Sequence, residues 1–523
     1  LISVCACTDK AADSATAKRI KHFFINIHSQ FHRQRYIFFV KNQNVRPHYY
    51  TVTHYPFCIP SKMPSPFLPV DFILSEKKCN LAEINLKPAS TMTDIFTSTW
   101  FMVAILVFYS ITIISAAYII ITENRNPVKS LAWITVLCFL PVIGLVFYLF
   151  FGRSFKNKRL ITRAMKRKLL KRERIRQVDF AKLTHSEESI QLIRLGHKLT
   201  GSIYFPGNEI EIFTEGKSKF DALKNDLERA ERSIYIQYYI FEEDNIGREI
   251  SEILIRKSLS GVKVRIIYDH VGCFQVSKSF YRRMSEAGIE VHPFFKVTFP
   301  EFATRVNWRN HRKIVVIDAK VGYIGGMNIA DRYINGVDGS TWRDTHLRIV
   351  GPSVAGLLYS FALDWTFMNL PPFEDKTPRY NVQPNDNAGV QIMTSGPIGQ
   401  WHNIAMMFLK ALGNAKKYIY IETPYFLPTE SLLKALAAAA LSKVDVRIII
   451  PRKPDSVMLR LASRSYIGQC LRAGIKFYFY EPGMLHAKTI IIDDEITTTG
   501  STNFDFRSME YNFECNVFVY SKE

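Results

Sequence analysis

CxxC cysteine pairs are missing from this sequence. Its eight cysteines stand at positions 5, 7, 58, 79, 138, 273, 470 and 515, and none forms a CxxC pair. A disulfide framework or zinc site would need tighter, paired spacing, so they read as reduced thiols of a cytosol-facing protein. Acidic residues are also short, with 47 Asp and Glu against 68 Lys and Arg and a formal net charge of +21. That balance directs the chain toward polyanions (nucleic acid, an anionic membrane surface or phosphorylated substrates) without choosing among them. A 13% aromatic share excludes a chain dominated by disorder, and 523 residues leave room for more than one domain. Residues 1–91 lack a signal-peptide pattern and a hydrophobic period, and His22, His28, His32, His48 and His54 share no spacing. This stretch reads as a non-native or dispensable extension, with Met92 the natural start.

Two uncharged apolar runs come next, Trp100 to Thr122 and Leu131 to Phe151. Each is long enough to cross a bilayer as a helix, and Pro141 and Gly144 in the second are tolerated in lipid. The short polar link between them predicts a transmembrane helical hairpin over 92–152. From Arg153 to Arg176 basic residues dominate, with Glu173 the only acid. Such a run next to a membrane span stays cytoplasmic, which predicts a multi-pass cell-membrane protein whose catalytic portion faces the cytoplasm. Ile161, Met165 and Leu169 recur every four residues within the basic linker 153–200, as on an amphipathic helix over anionic headgroups.

The remainder repeats itself. Residues 230–241 (AERSIYIQYYIF) and 415–426 (AKKYIYIETPYF) match, and each leads through a helix-like stretch to a strand, VKVRIIY from Val262 or VDVRIII from Val444. Alternating strands and helices predict α/β units around a mainly parallel sheet. The polar, proline-rich stretch Pro371 to Asn387 serves as a linker. Two α/β/α sandwich halves, 201–375 and 376–523, would then form a pseudo-dimer.

Each half carries one further block: His311-Arg-Lys313-Ile-Val-Val-Ile-Asp318 with Asn328 beyond it, and His486-Ala-Lys488-Thr-Ile-Ile-Ile-Asp493 with Asn503 beyond it. The matched residues keep one offset of 175 positions (311 to 486, 318 to 493). A lone HxKxxxxD is a weak signal; its repetition with identical spacing is a strong one. On a strand, His and Lys two apart face the same way, so imidazole and ammonium can converge on one phosphate. Asp318 and Asp493 fall at the opposite parity, at the strand's end, which favours an orienting or structural part beside the catalytic His–Lys pairs. Asn328 and Asn503 would donate to phosphate oxygens. Two such faces suit phosphoryl transfer without metal or cofactor: one neutral histidine attacks phosphorus, and the other, protonated, serves the leaving alkoxide. Asp344 and Glu514 are candidate acids to orient the imidazoles. His270, His292, His346 and His402 are isolated, and a catalytic metal is not expected.

These paired blocks resemble the HKD motifs of the phospholipase D superfamily. Asn126-Pro127, Phe151-Gly152-Arg153, Trp342-Arg-Asp-Thr-His346 and Asn503-Phe-Asp-Phe-Arg-Ser508 look like segments of bacterial cardiolipin synthases, over about residues 92–523. The resemblance implies transfer of a phosphatidyl group between two phosphatidylglycerol molecules through a phosphohistidine. It also implies anionic lipids as partners, no nucleic acid, His311 as nucleophile, His486 as acid and base, and Asp344 and Glu514 orienting them. A hydrolase of the same superfamily, acting on lipid or nucleic acid, is the alternative. The family normally continues several dozen residues beyond the second motif, whereas this chain stops at Glu523, so a missing carboxy-terminal segment is expected.

Overall fold

The computed structural model describes residues 99–122 and 127–140, short pieces between 143 and 148, and 183–521 apart from 298–306, 374, 376, 379, 384–387 and 400. The amino-terminal extension and the basic run after Phe151 lie outside the described residues. The chain divides into a helical unit and a larger unit. In the helical unit, α1 (Thr99–Thr122) and α2 (Pro127–Phe139) pack on each other. Pro127 sits at the first helical position, where its fixed φ suits a helix and its missing N–H costs nothing. Among residues whose side chains are described, no helix is long and apolar enough to cross a membrane. The α1 backbone nonetheless runs 24 residues without a charged residue in its sequence. Within the second apolar run α2 ends at Phe139, and most residues between 141 and 151 lie outside the described ones.

The larger unit opens with α3 (Glu187–Thr200) and β1 (Tyr204–Phe205). The first half continues with β2 (Glu209–Phe213), α4 (Gly216–Glu228), β3 (Ser233–Tyr238), α5 (Asn245–Leu259), β4 (Lys263–Asp269), α6 (Lys278–Glu286) and β5 (Glu290–Phe294). Then come β6 (Ile314–Ile317), β7 (Val321–Gly325), α7 (Arg332–Asn335), β8 (Thr341–Arg343), β9 (His346–Val350) and α8 (Val354–Phe367). The second half holds β10 (Gly389–Ser395), α9 (Asn403–Asn414), β11 (Tyr418–Glu422), α10 (Glu430–Leu441), β12 (Asp445–Pro451), α11 (Val457–Arg472) and β13 (Lys476–Tyr480). It closes with β14 (Gly483–Leu485), β15 (Thr489–Ile492), β16 (Ile496–Gly500), α12 (Phe506–Glu510) and β17 (Glu514–Tyr520).

The two sheets share one topology. The first runs β2-β9-β7-β6-β3-β4-β5 and the second β1-β10-β17-β16-β15-β11-β12-β13. The sequence suggests mainly parallel pairing, and the structure corrects this. Within these two sheets only β3-β4-β5 and β11-β12-β13 pair in parallel, and the remaining neighbours are antiparallel. One antiparallel pair in each sheet is a tight hairpin after the motif strand. Asp318 and Ala319 have φ of 53° and 54°, and Asp493 and Asp494 have 55° and 62°. In each turn the fourth residue donates back to the first, Lys320 to Ile317 at 2.9 Å and Glu495 to Ile492 at 3.0 Å. Two positive φ values at the central positions give the type I′ turn, whose twist suits an antiparallel hairpin.

β6 and β15, the motif strands, are buried along their whole length. Residues 187–205 join the second half's core, although 187–200 fall in the expected linker and 201–205 in the expected first half. Leu192 and Ile193 of α3, both fully buried, pack with Met393, Phe408 and Phe518, and β1 pairs with β10. Another cluster draws on both halves, with Val316, Phe361, Val390 and Val517 among its members.

Candidate active site

Two short exchanges between the halves position the histidines. β8 of the first half pairs in parallel with β14 of the second, and the His486 N–H then donates to the Arg343 carbonyl at 2.7 Å. On the other side Asn310 bridges to Phe513, and the His311 N–H donates to the Phe513 carbonyl at 2.9 Å. Each histidine is thereby pinned beside the residue that precedes the other half's acid.

The acids act across the halves. His311 Nδ1 lies 3.1 and 3.2 Å from the carboxylate oxygens of Glu514, and His486 Nδ1 lies 2.7 Å from Asp344. A carboxylate on Nδ1 holds the proton there and leaves Nε2 for a substrate. Glu514 also accepts from Asn512 at 3.1 Å and from the Ser501 hydroxyl. Asp344 accepts from its neighbour's Thr345 N–H at 2.7 Å. Gly326, the repeat-mate of Ser501, must lack a side chain, because a Cβ there would meet the Asp344 carboxylate at 2.1 Å.

Both lysines are buried, with side chains directed back along their own strands. Lys313 donates to the His311 carbonyl at 2.6 Å, and Lys488 donates to that of His486. Lys488 Nζ also stands 2.8 Å from His486 Nδ1 and 3.6 Å from Asp344. Nδ1 cannot donate to the carboxylate and accept from the ammonium together, so we read the Asp344 contact as the hydrogen bond and the Lys488 contact as electrostatic crowding.

Charge follows burial here. Desolvation lowers the His311 pKa, with Glu514 opposing it. His486 is lowered to about 4 by burial and then by Lys488, with Asp344 opposing. Burial lowers Lys313 to about 7 and pushes Lys488 down as well. For Asp344 and Glu514 burial is the largest influence and raises the pKa, yet the neighbouring histidine and lysine of each, with hydrogen bonds from Thr345 and Ser501 respectively, hold each carboxyl below its ordinary value.

His311, His486, Asn328 and Asn503 line one cavity of about 320 Å³. The Asn328 amide is engaged, donating to the Tyr333 hydroxyl at 2.6 Å and accepting from Ile240 N–H at 3.1 Å. The Asn503 Oδ1 is buried without a hydrogen-bond partner. Asp318 and Asp493, grouped with the catalytic set on sequence, are placed elsewhere. Asp318 accepts the N–H groups of Glu231, Arg232 and Ser233 at 2.9, 2.7 and 2.9 Å. Asp493 does the same for Lys416, Lys417 and Tyr418 at 2.6, 2.8 and 2.8 Å. They clamp each hairpin turn to the start of the neighbouring strand and make no contact with either histidine.

Sequence reasoning passed over several residues. Tyr239 stands edge-on to His311 with ring centroids 5.0 Å apart, and Trp342 tilts against His486 at 5.4 Å. Arg309, Arg332 and Arg507 also line the cavity. The last two share the 175-residue offset (332 to 507), a signal that could have found them.

Twin sheets, each bearing a His–Lys motif whose histidine lines one shared cavity, define a protein of the phospholipase D superfamily. The sequence matches the family described as "Cardiolipin synthase, PLD-like domain" over residues 223–351 and 408–523, and "Phospholipase_D-nuclease N-terminal" over 110–153. It is 39% identical over 443 residues to a cardiolipin synthase of Halalkalibacterium halodurans, covering 82% of this chain and 87% of that one. It is 38% identical over 430 residues to the major cardiolipin synthase ClsA of Bacillus subtilis, covering 79% and 88%. The chain belongs to the cardiolipin synthase family. A crystal structure of a Haemophilus influenzae phosphatidylserine synthase shares the fold, with a TM-score of 0.51, 14% identity and coverage of 64% of this chain and 87% of that one.

Proposed function

We propose that this enzyme transfers a phosphatidyl group from one phosphatidylglycerol to another, releasing glycerol and forming cardiolipin. The observation that carries the reading is the single cavity lined by both histidines, each fixed by a carboxylate of the opposite half. His311, neutral through burial, attacks phosphorus as the bond to the first glycerol breaks. His486 donates the proton that glycerol's oxygen needs. With its pKa lowered to about 4, it becomes charged beside the substrate's anionic phosphate, so acid function is coupled to binding. It then takes the proton of the incoming hydroxyl. Lys313, Lys488 and Asn503 stabilise the equatorial oxygens, and Glu514 and Asp344 hold the tautomers.

We further propose that α1 and the apolar run after Pro127 form a membrane hairpin, with the basic run 153–176 holding the catalytic unit on the cytoplasmic side. Membranes containing the protein, given labelled phosphatidylglycerol, test the transfer reading. Labelled cardiolipin with free glycerol is expected. Phosphatidic acid as the main product would make the protein a hydrolase and overturn it.

A further inference from the structure

The proposed transfer brings two phosphodiesters into one cavity, and the two lysines supply cations for one. Lys313 and Lys488 are 0% and 3% exposed, and each donates to the carbonyl of the histidine two residues before it. A second anion needs a cation elsewhere on the wall. Three arginines stand there. Arg309 is 2% exposed and held by Asp269 at 3.2 Å and by the Trp308 carbonyl at 2.7 Å. Arg332 is ion-paired with Glu242. Arg507 is exposed, has no ion pair among the described residues, and makes one long hydrogen bond, 3.4 Å, to the Asn307 carbonyl.

Arg507 is nevertheless well placed. Its carbonyl accepts from Tyr511 and Asn512 at 2.9 and 3.1 Å, which fixes its backbone. Its charge is felt by Tyr239, the ring packed on His311. The two acids of the same wall are occupied otherwise: Asp455 accepts from the Tyr425 hydroxyl at 2.6 Å, and Asp505 from the Ser508 N–H at 2.6 Å. Arg332 and Arg507 hold equivalent places in the repeat, so the difference between them is chemical. One guanidinium has a carboxylate partner, and the other is available to a ligand.

We propose that Arg507 binds the phosphate of the acceptor phosphatidylglycerol and so sets the preference for a phosphate-bearing acceptor over water or an uncharged alcohol. This rests on the transfer reading. In the second step the acceptor's terminal glycerol oxygen bonds to phosphorus while the bond from phosphorus to the His311 nitrogen breaks. The electron pair of that bond returns to the imidazole, and the hydroxyl proton passes to His486. The acceptor's own phosphate stays intact, one three-carbon bridge from the attacking oxygen. Paired charge-assisted hydrogen bonds from a planar guanidinium fix it there and align the hydroxyl.

The test uses the full-length enzyme in mixed micelles and two reactions. One is cardiolipin formation; the other is exchange of the phosphatidylglycerol headgroup with labelled free glycerol. Both pass through the same phosphatidyl-enzyme, and only the first has an acceptor phosphate. In Arg507→Gln the ratio of cardiolipin formation to exchange is expected to fall about tenfold to a hundredfold, with the loss in the apparent KM for acceptor lipid. Arg507→Lys recovers part of it, keeping the charge and losing the fork. Unfolded molecules contribute to neither rate, so the ratio survives partial misfolding. An unchanged ratio, or two rates that fall together, would overturn the assignment. Failure of the transfer reading itself shows separately, as unsubstituted enzyme that makes no cardiolipin.

Discussion

His311 and His486 are repeat-mates with unlike surroundings. Glu514 faces His311 through two oxygens and carries further donors from Ser501 and Asn512. Asp344 faces His486 through one oxygen with the Lys488 ammonium alongside. Neutral His311 is the attacking form, and burial lowers its pKa from 6.5. The acid limb of kcat/KM is therefore expected below pH 6.5. Glu514 raises that pKa, so Glu514→Gln should move the limb to still lower pH while reducing kcat about a hundredfold or more. A pH–rate profile of the variant checks both, and a limb displaced upward would show that Glu514 does not act on His311. The matched cut at Asp344→Asn should lower kcat comparably, because it frees the His486 imidazole to take the wrong tautomer. Activity within threefold of the unsubstituted enzyme would contradict that role.

At the scale of elements, the hairpin after each motif strand returns the chain antiparallel to it. Asp318→Ala leaves three buried or half-buried N–H groups without their acceptor and a turn that still needs positive φ. A loss of about 2–4 kcal/mol is expected, read by urea unfolding, with the chemistry of surviving folded enzyme intact. A stable variant with lost catalysis would instead return Asp318 to the reacting set. Much of this was legible: the repeat, the motif strands and the pairing of halves emerge from a constant offset and from β-branched runs. Strand direction was not. Asp-Ala and Asp-Asp lack the glycine that usually marks a type I′ turn, so the antiparallel return of β7 and β16 left no familiar trace. The parity argument did set Asp318 and Asp493 apart from the histidines, and the three N–H bonds at each give the physical reason.

Across the whole molecule the halves complete one another. Neither histidine has its orienting acid in its own half, and α3, which precedes the first half, lies in the second half's core. That docking was unreadable locally, because an amphipathic helix shows which face is buried and not which sheet buries it. Ile193→Ala is expected to destabilise the catalytic unit by about 2–5 kcal/mol, measured by denaturant unfolding. A change below about 0.5 kcal/mol would mean that α3 is not part of the core. Arg507 shows a similar limit: its place in the repeat is visible in the sequence, whereas its lack of a carboxylate partner among the described residues appears only in three dimensions.

The central claim is that one phosphorus is shared by two histidines from two halves. Quenching the His486→Ala variant in neutral SDS after exposure to phosphatidylglycerol labelled at phosphorus tests it most directly, because the acid-labile phosphorus–nitrogen bond survives there and, without the base, phosphatidyl-enzyme once formed is consumed slowly. The label is expected at no more than one per chain, mapped to His311, and absent from His311→Ala. Two labels per chain in the unsubstituted protein, one on each histidine, would contradict a shared site.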